Sequence, residues 1–143
     1  MVPYQYVVIV GAGRLGSILA NRLSRLGSSV VVVDRDGAAF DNLSTEFSGF
    51  RITGDAAELS VLRQAKLDKA DCVLVTTQYD NVNLMVTQVA KTVFQVPRVM
   101  ARVVDPSRKV LYHEFGVETI CPTGLAVDAF LHALQDGPEG EPS

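Results

Sequence analysis

The sequence predicts an α/β fold: a doubly wound, mostly parallel six-stranded sheet with helices on both faces. Three observations carry this. Short continuous runs of apolar, largely β-branched residues recur along the chain, segments with helical apolar spacing separate them, and a glycine-rich turn joins the first run to the first helix. Continuous rather than alternating hydrophobicity is the pattern of strands buried on both faces, hence of a parallel sheet covered by helices. Strands alternating with helices of this length build βαβ units.

The first strand is expected over residues 5–10 (QYVVIV), closed by Gly11; residues 29–33, 71–75 and 98–103 read the same way, and 49–52 and 117–120 are shorter candidates. The first helix carries an apolar stripe of Leu15, Ile18, Leu19, Leu23 and Leu26, with Arg14, Ser17, Asn21, Arg22 and Arg25 largely opposite and Gly27 as its C-cap. A second, amphipathic helix is expected over residues 36–47 and a third over 58–65. A fourth spans 80–94 with Asp80 as N-cap and Pro97 after its end. A fifth spans 106–115 behind Asp105, with proline at its first position, and the last covers 123–135. Residues 136–143 (DGPEGEPS) are acidic and Gly/Pro-rich, and are expected to be a disordered tail beyond a single domain of residues 1–135.

Composition narrows the function. A chain of 143 residues, 48% hydrophobic and 20% charged, has the size of one domain and requires no metal or disulfide staple. Its net charge of −3 argues against nucleic acid as a partner. The apolar runs are strand-sized, short of the ~18–20 residues of a membrane span. Met1-Val2-Pro3-Tyr4-Gln5 lacks the basic region of a secretory signal. Cys72 and Cys121 are too few and too far apart for a disulfide framework, which fits a reducing cytoplasm.

Gly11-Ala12-Gly13-Arg14-Leu15-Gly16 fits G-x-G-x-x-G between a buried strand and a helix, the context that gives this motif meaning. In a Rossmann-type turn Gly11 allows the tight bend, Gly13 lets a pyrophosphate approach the backbone, and Gly16 lets the helix pack closely on the strand. Free N–H groups at the positive helix end then hold phosphate without a lysine. Asp34 ends the second strand eighteen residues after Gly16, where a carboxylate accepts hydrogen bonds from ribose hydroxyls and disfavours a 2′-phosphate. Arg35 beside it weakens that exclusion. An adenine nucleotide is the implied ligand.

The residues for chemistry beyond binding are sparse. His113 and His132 lie on late helices, Cys72 lies inside a strand, and Cys121 precedes Pro122; packing or solvation suits each better than catalysis. No Ser/His/Asp order, HExxH or metal-ligand cluster occurs, so the expectation is a protein that is not an enzyme. Small and polar residues do gather at strand ends: Gly54-Asp55-Ala56 after the third strand, Thr76-Thr77 after the fourth, Asp80 and Asn83 opening the next helix. Asp55 could contact adenine or cap the helix at Glu58. Thr76 could donate to a ligand or satisfy local backbone, and Arg102 could meet a phosphate, an interface or an ordinary ion-pair partner.

The segments VVIVGAGRLGSILANRL, VVVVDRD, ITGDAAELSVLRQAKLDKADCVLVTTQYDNVNL, VMARVVDP and FGVETICPT occur in that order within residues 6–134. This arrangement resembles the N-terminal nucleotide-binding domain of regulator-of-potassium-conductance proteins, the Trk/Ktr-type potassium-uptake regulators (TrkA-N or KTN domain). Ala57-Glu58 depart from the Thr-Asp more frequent there. The resemblance implies a cytosolic, non-enzymatic gating subunit that binds NAD(H) or ATP/ADP and controls an integral-membrane potassium transporter from the inner face of the membrane. It implies that Gly11, Gly13, Leu15 and Gly16 cradle phosphates and Asp34 the ribose. Arg35, Gly54, Asp55 and Ala56 would lie on the adenine side, Thr76 and Thr77 at the phosphate or nicotinamide end, and Arg14 would reach a terminal phosphate. It further implies a second, smaller regulatory domain in many members, for which these residues leave no room. The cofactor domain of a small NAD-dependent oxidoreductase, or a free-standing nucleotide sensor, stays open beside this reading.

The last helix adds an expectation of its own. Leu125, Ala126, Val127, Ala129, Phe130, Leu131, Ala133 and Leu134 leave only Asp128, His132 and Gln135 as a polar strip. A helix apolar over so much of its circumference needs cover from more than one side. Either it packs on its own sheet or, as the resemblance implies, it crosses to a neighbour in a homodimer or a ring-like homo-oligomer.

Overall fold

A computed structural model of the chain describes residues 4–138. The opening residues 1–3 and the tail residues 139–143 lie outside the described residues, and Asp136, expected to begin the disordered tail, instead ends the last helix. Six strands form one sheet: β1 (Tyr6–Val10), β2 (Ser29–Asp34), β3 (Phe50–Thr53), β4 (Cys72–Val75), β5 (Arg98–Arg102) and β6 (Glu118–Ile120). The order is β3-β2-β1-β4-β5-β6 and every pairing is parallel. The chain therefore winds outward from β1 in both directions, and the crevice between the two windings opens beyond the carboxyl ends of β1 and β4.

The helices are α1 (Arg14–Arg25), α2 (Leu59–Gln64), α3 (Asp80–Thr92), α4 (Lys109–Glu114) and α5 (Pro122–Asp136). Strand residues alternate between two cores, as a pleat requires. Val8, Val10, Val31, Val33, Val73 and Val75 pack with Leu62 of α2, Ala65 just after it, and Val86 and Ala90 of α3 on one face. Val7, Ile9, Val30, Val32 and Cys72 pack with Ala20, Leu43 and Phe47 on the other. Among the described residues, no helix is long and apolar enough to cross a membrane.

Four local expectations change. The buried face of α1 is Gly16, Ser17 and Ala20, while Ile18 and Leu26 stand exposed, because small residues bring this helix close to the sheet. The helix expected over residues 36–47 is a 3-10 segment, Gly37–Asn42, followed by turns. Asn42 Nδ2 donates to Ala12 O (3.0 Å), and Ser44 N donates to Asn21 Oδ1 (3.0 Å). These long-range bonds draw the segment away from the helical path that residues of low helix propensity leave weakly favoured. Tyr79, not Asp80, is the N-cap of α3; Asp80 instead accepts from Val104 N (2.6 Å) and Asp105 N (2.9 Å), tying α3 to the chain after β5. Asp105 does cap as expected, accepting from Ser107 N at 3.0 Å, but what it opens is a 3-10 turn, Pro106–Arg108, leading into a shorter α4.

The winding leaves one region without cover. On the face occupied by α1, Arg98, Met100 and Arg102 of β5 and Glu118 and Ile120 of β6 include no buried residue. Helix α5 buries none of its fifteen residues.

Candidate functional site

The turn from β1 into α1 is held from several directions. Gly11 lies at φ +109°, where a side chain is strained, and its N–H donates to Val33 O (2.8 Å). Ala12 N donates to Asp34 Oδ2 (2.7 Å), and Ala12 O accepts from both Ser17 Oγ (2.8 Å) and Asn42 Nδ2 (3.0 Å). Thr76 Oγ1 lies 3.2 Å from Val10 O and from Gly11 O, so this buried hydroxyl braces the turn. Gly16 sits so close that a Cβ there would come 1.9 Å from Gly11 O.

Gly13 differs from its two partners. A Cβ there would meet nothing within 4 Å, and its backbone is extended (φ −71°), so neither packing nor conformation requires glycine. It is the N-cap of α1, with no side-chain cap and no acidic residue in the first turn. Ser17 is the first residue whose amide donates into the helix, to Gly13 O at 2.9 Å. The amides before it are the orphan donors of a helix start, at its positive end.

Asp34 does two things at once. Its Oδ2 holds the turn through Ala12, and its Oδ1 accepts from Asp36 N (2.8 Å). Each carboxylate oxygen offers two lone pairs, so each retains one acceptor site for a hydroxyl. Gly54 N donates to Asp34 O (3.0 Å), joining the end of β3 to the same point. Asp55 Oδ1 accepts from Ala57 N (2.9 Å), shaping the turn before α2, and Ala56 is buried in the core. Arg14 and Arg35 are exposed, and Leu15 is half-buried.

Across β1 from Asp34, Thr77 follows β4 and Arg102 is the last residue of β5. Thr77 is bonded to Asn83, and the Arg102 Nε–H is buried without a partner, the one such side-chain atom among the described residues. Sequence reasoning did not include Ser17, Asn42 and Asn83 among the site residues. Their partners lie five, thirty and nineteen residues away. Asn83 had a visible signal in its place beside Asp80 at a helix start; Asn42 had none, since its segment read as helix. Cys72 and Cys121 are both buried. Burial pushes the Cys72 thiol up to about 11, which suits packing rather than a nucleophile. His113 closes the far end of α4 and His132 lies exposed on α5.

A family model described as the TrkA-N domain matches residues 7–122. The Trk system potassium uptake protein TrkA of Streptomyces coelicolor is 36% identical over 129 residues, covering 90% of this chain and 58% of that protein. The protein of the same name from Mycobacterium tuberculosis is 35% identical over 118 residues, covering 82% and 53%. The chain thus spans about half the length of the curated relatives it matches. Among solved structures, the TrkA-N domain of inner membrane protein ybaL from Escherichia coli superposes with a TM-score of 0.80 at 20% identity, over 94% of this chain and 99% of that one. The GsuK channel bound to NAD superposes at 0.78 and 23% identity, over 92% of this chain and 23% of that one. GsuK bound to ADP does so at 0.78 and 22%, over 92% and 34%. These structural likenesses are likenesses of fold. Together with the sheet order and the glycine turn, the family match places the chain: it belongs to the TrkA-N domain family.

Proposed function

We propose that this domain is a cytoplasmic, non-enzymatic regulatory unit of a potassium uptake system. It binds an adenine nucleotide, NAD(H) or ATP/ADP, at the 11–16 turn and passes occupancy to an integral-membrane potassium transporter through a homo-oligomeric assembly. The observation that carries the binding reading is Gly13: glycine at a position where the protein itself leaves room for a side chain, on an uncapped helix start. A group that approaches this backbone closely explains the glycine, and a phosphate is the group such helix starts attract. The remaining acceptor sites of Asp34 suit the ribose hydroxyls and oppose a 2′-phosphate. Arg14 reaches a terminal phosphate, and Arg35, Gly54, Asp55 and Ala56 border the adenine.

The potassium uptake role named for the relatives supports the potassium reading, and the NAD-bound and ADP-bound GsuK structures support both ligand classes. The unburied α5 and the open half-face over β5 and β6 support assembly with a second copy. Buried thiols and histidines remote from the turn support a binder over an enzyme. Signal transfer then follows from linkage: a ligand shifts an assembly only through its different affinity for two arrangements. The direct test is thermal unfolding with ATP, ADP, NAD⁺ and NADH at millimolar concentration. At least one is expected to raise the midpoint; no shift with any of them overturns the binding reading.

A further inference from the structure

Asn83 is fully buried on α3, and its amide makes four hydrogen bonds. Nδ2 donates to Thr77 O and to Arg102 O, each at 3.0 Å. Oδ1 accepts from Thr77 N at 3.1 Å and from Thr77 Oγ1 at 2.5 Å. Two donors and two acceptor sites are all a carboxamide has, so this one is saturated. Its placement is as informative as its count. The β4–β5 register runs as far as Val75↔Ala101, and Asn83 joins the chain two residues past Val75 to the residue after Ala101. A side-chain amide thus continues the ladder where the strands diverge.

The two segments it joins flank the crevice on the side away from Asp34. With the order β2-β1-β4-β5, Arg102 lies three strands from Asp34, about 14 Å at the usual strand spacing. An adenosine on Asp34 with a diphosphate on the 11–16 turn occupies β2 and β1. Only what the ligand carries beyond its diphosphate extends over β4 and β5. Arg102 alternates with Ala101 and Val103 of the opposite core, so its side chain is on the face of the sheet that α1 occupies. Its Nε–H is buried and without a partner, an uncommon state for a buried donor and one that a ligand acceptor would relieve.

We infer that Asn83 is a positioning residue for the far end of the nucleotide: it holds Thr77 and Arg102 at a fixed separation, so that they recognise the third phosphate or the second nucleoside. The inference rests on the nucleotide reading of the 11–16 turn. Asn83 itself touches no ligand in this scheme; it acts through the two backbone segments it clamps.

The test is titration calorimetry of the full chain with AMP, ATP and NAD⁺, comparing the unaltered protein with Asn83→Ser and Arg102→Gln. The readout is the affinity for each extended ligand relative to AMP. Asn83→Ser is expected to lower that ratio about tenfold for NAD⁺ or for ATP, and which one falls identifies the extension recognised. Arg102→Gln is expected to lower the same ratio. AMP and the extended ligands weakening in parallel, or a ratio unchanged in Asn83→Ser, overturns the inference while leaving the turn as a nucleotide site. Should Asn83→Ser not fold, the side-chain amide resonances of Asn83 in the unaltered chain supply the answer. They are expected to shift with the extended ligand and not with AMP; equal shifts, or none, overturn it. An unaltered chain that binds none of the three refutes the nucleotide reading itself, and this inference with it.

Discussion

Helices α1 and α5 are both rich in apolar residues, yet one is pressed into the sheet and the other touches almost nothing. α1 follows β1 through a turn so tight that Gly16 has no room for a Cβ, and it buries Gly16, Ser17 and Ala20. α5 follows β6, the last strand at one edge, and leaves Phe130 at 72% and Leu134 at 75% exposure. The difference is one of what lies against each among the described residues. The glycine turn forces α1 back over its own strand. After β6 no further strand or helix among the described residues is available to meet α5. The lesson is that an apolar pattern measures how much cover a helix needs and is silent on who provides it.

Five variants probe this contrast. Gly16→Ala should have the largest effect, a loss of about 3 kcal/mol or more, because the new Cβ would collide with Gly11 backbone rather than with a side chain able to move. Chemical denaturation reads it, and a near-normal midpoint would show that α1 is not pinned as described. Asp34→Ala removes the acceptor for Ala12 and Asp36 together with the proposed ribose contact. Nucleotide affinity should fall about thirtyfold, in line with the loss of charge-assisted hydrogen bonds; equal affinity in calorimetry removes Asp34 from the site.

Gly13→Ala separates fold from function at the start of α1. Its stability should fall only by about 0.5–1 kcal/mol, since alanine is a poorer N-cap than glycine but the backbone there is not left-handed and the space is open. Binding should nevertheless weaken about tenfold by obstruction of the phosphate. A variant that binds as tightly as the parent would break the link drawn between this glycine and the ligand. On α5, Phe130→Asp with Leu134→Asp should change monomer stability by less than about 0.5 kcal/mol, because both side chains are exposed. If α5 forms the proposed contact between copies, the same pair should shift sedimentation toward smaller species; an unchanged profile removes α5 from that contact. The smallest effect is expected from Gly124→Ala. Its Cβ would make ordinary contact with Cys121 Sγ at 3.6 Å, and helix propensity should add about 0.5 kcal/mol. A substantial loss there would mean that α5 packs more tightly than its exposure indicates.

The central strands β1, β2 and β4 were legible because β-branched runs buried on both faces have no alternation to misread, whereas β3 and β6, exposed at the two edges, read only as shorter candidates. Errors occurred where side chains from distant parts of the chain take over local structure. Residues 36–47 have a helical apolar rhythm, but Asn42 answers to Ala12 and Ser44 to Asn21. Asp80 has the composition of an N-cap, yet its carboxylate is drawn to two amides beyond β5. Within the candidate site, the glycines and Asp34 were readable because each acts through backbone geometry tied to a fixed spacing. Thr76 and Asp55 admitted two roles until their partners were seen, both being engaged by nearby backbone.

By itself the sequence determined the parallel winding, the phosphate-suited turn and the acid on the neighbouring strand, because period, glycine spacing and strand ends are properties of consecutive residues. Tertiary structure alone decided that Gly13 is open while Gly11 and Gly16 are crowded, that Asn83 joins the ends of β4 and β5, and that α5 lacks cover. These depend on which groups meet across a fold, and a hydrogen bond or a collision between residues far apart in the chain leaves no mark in the order of either segment.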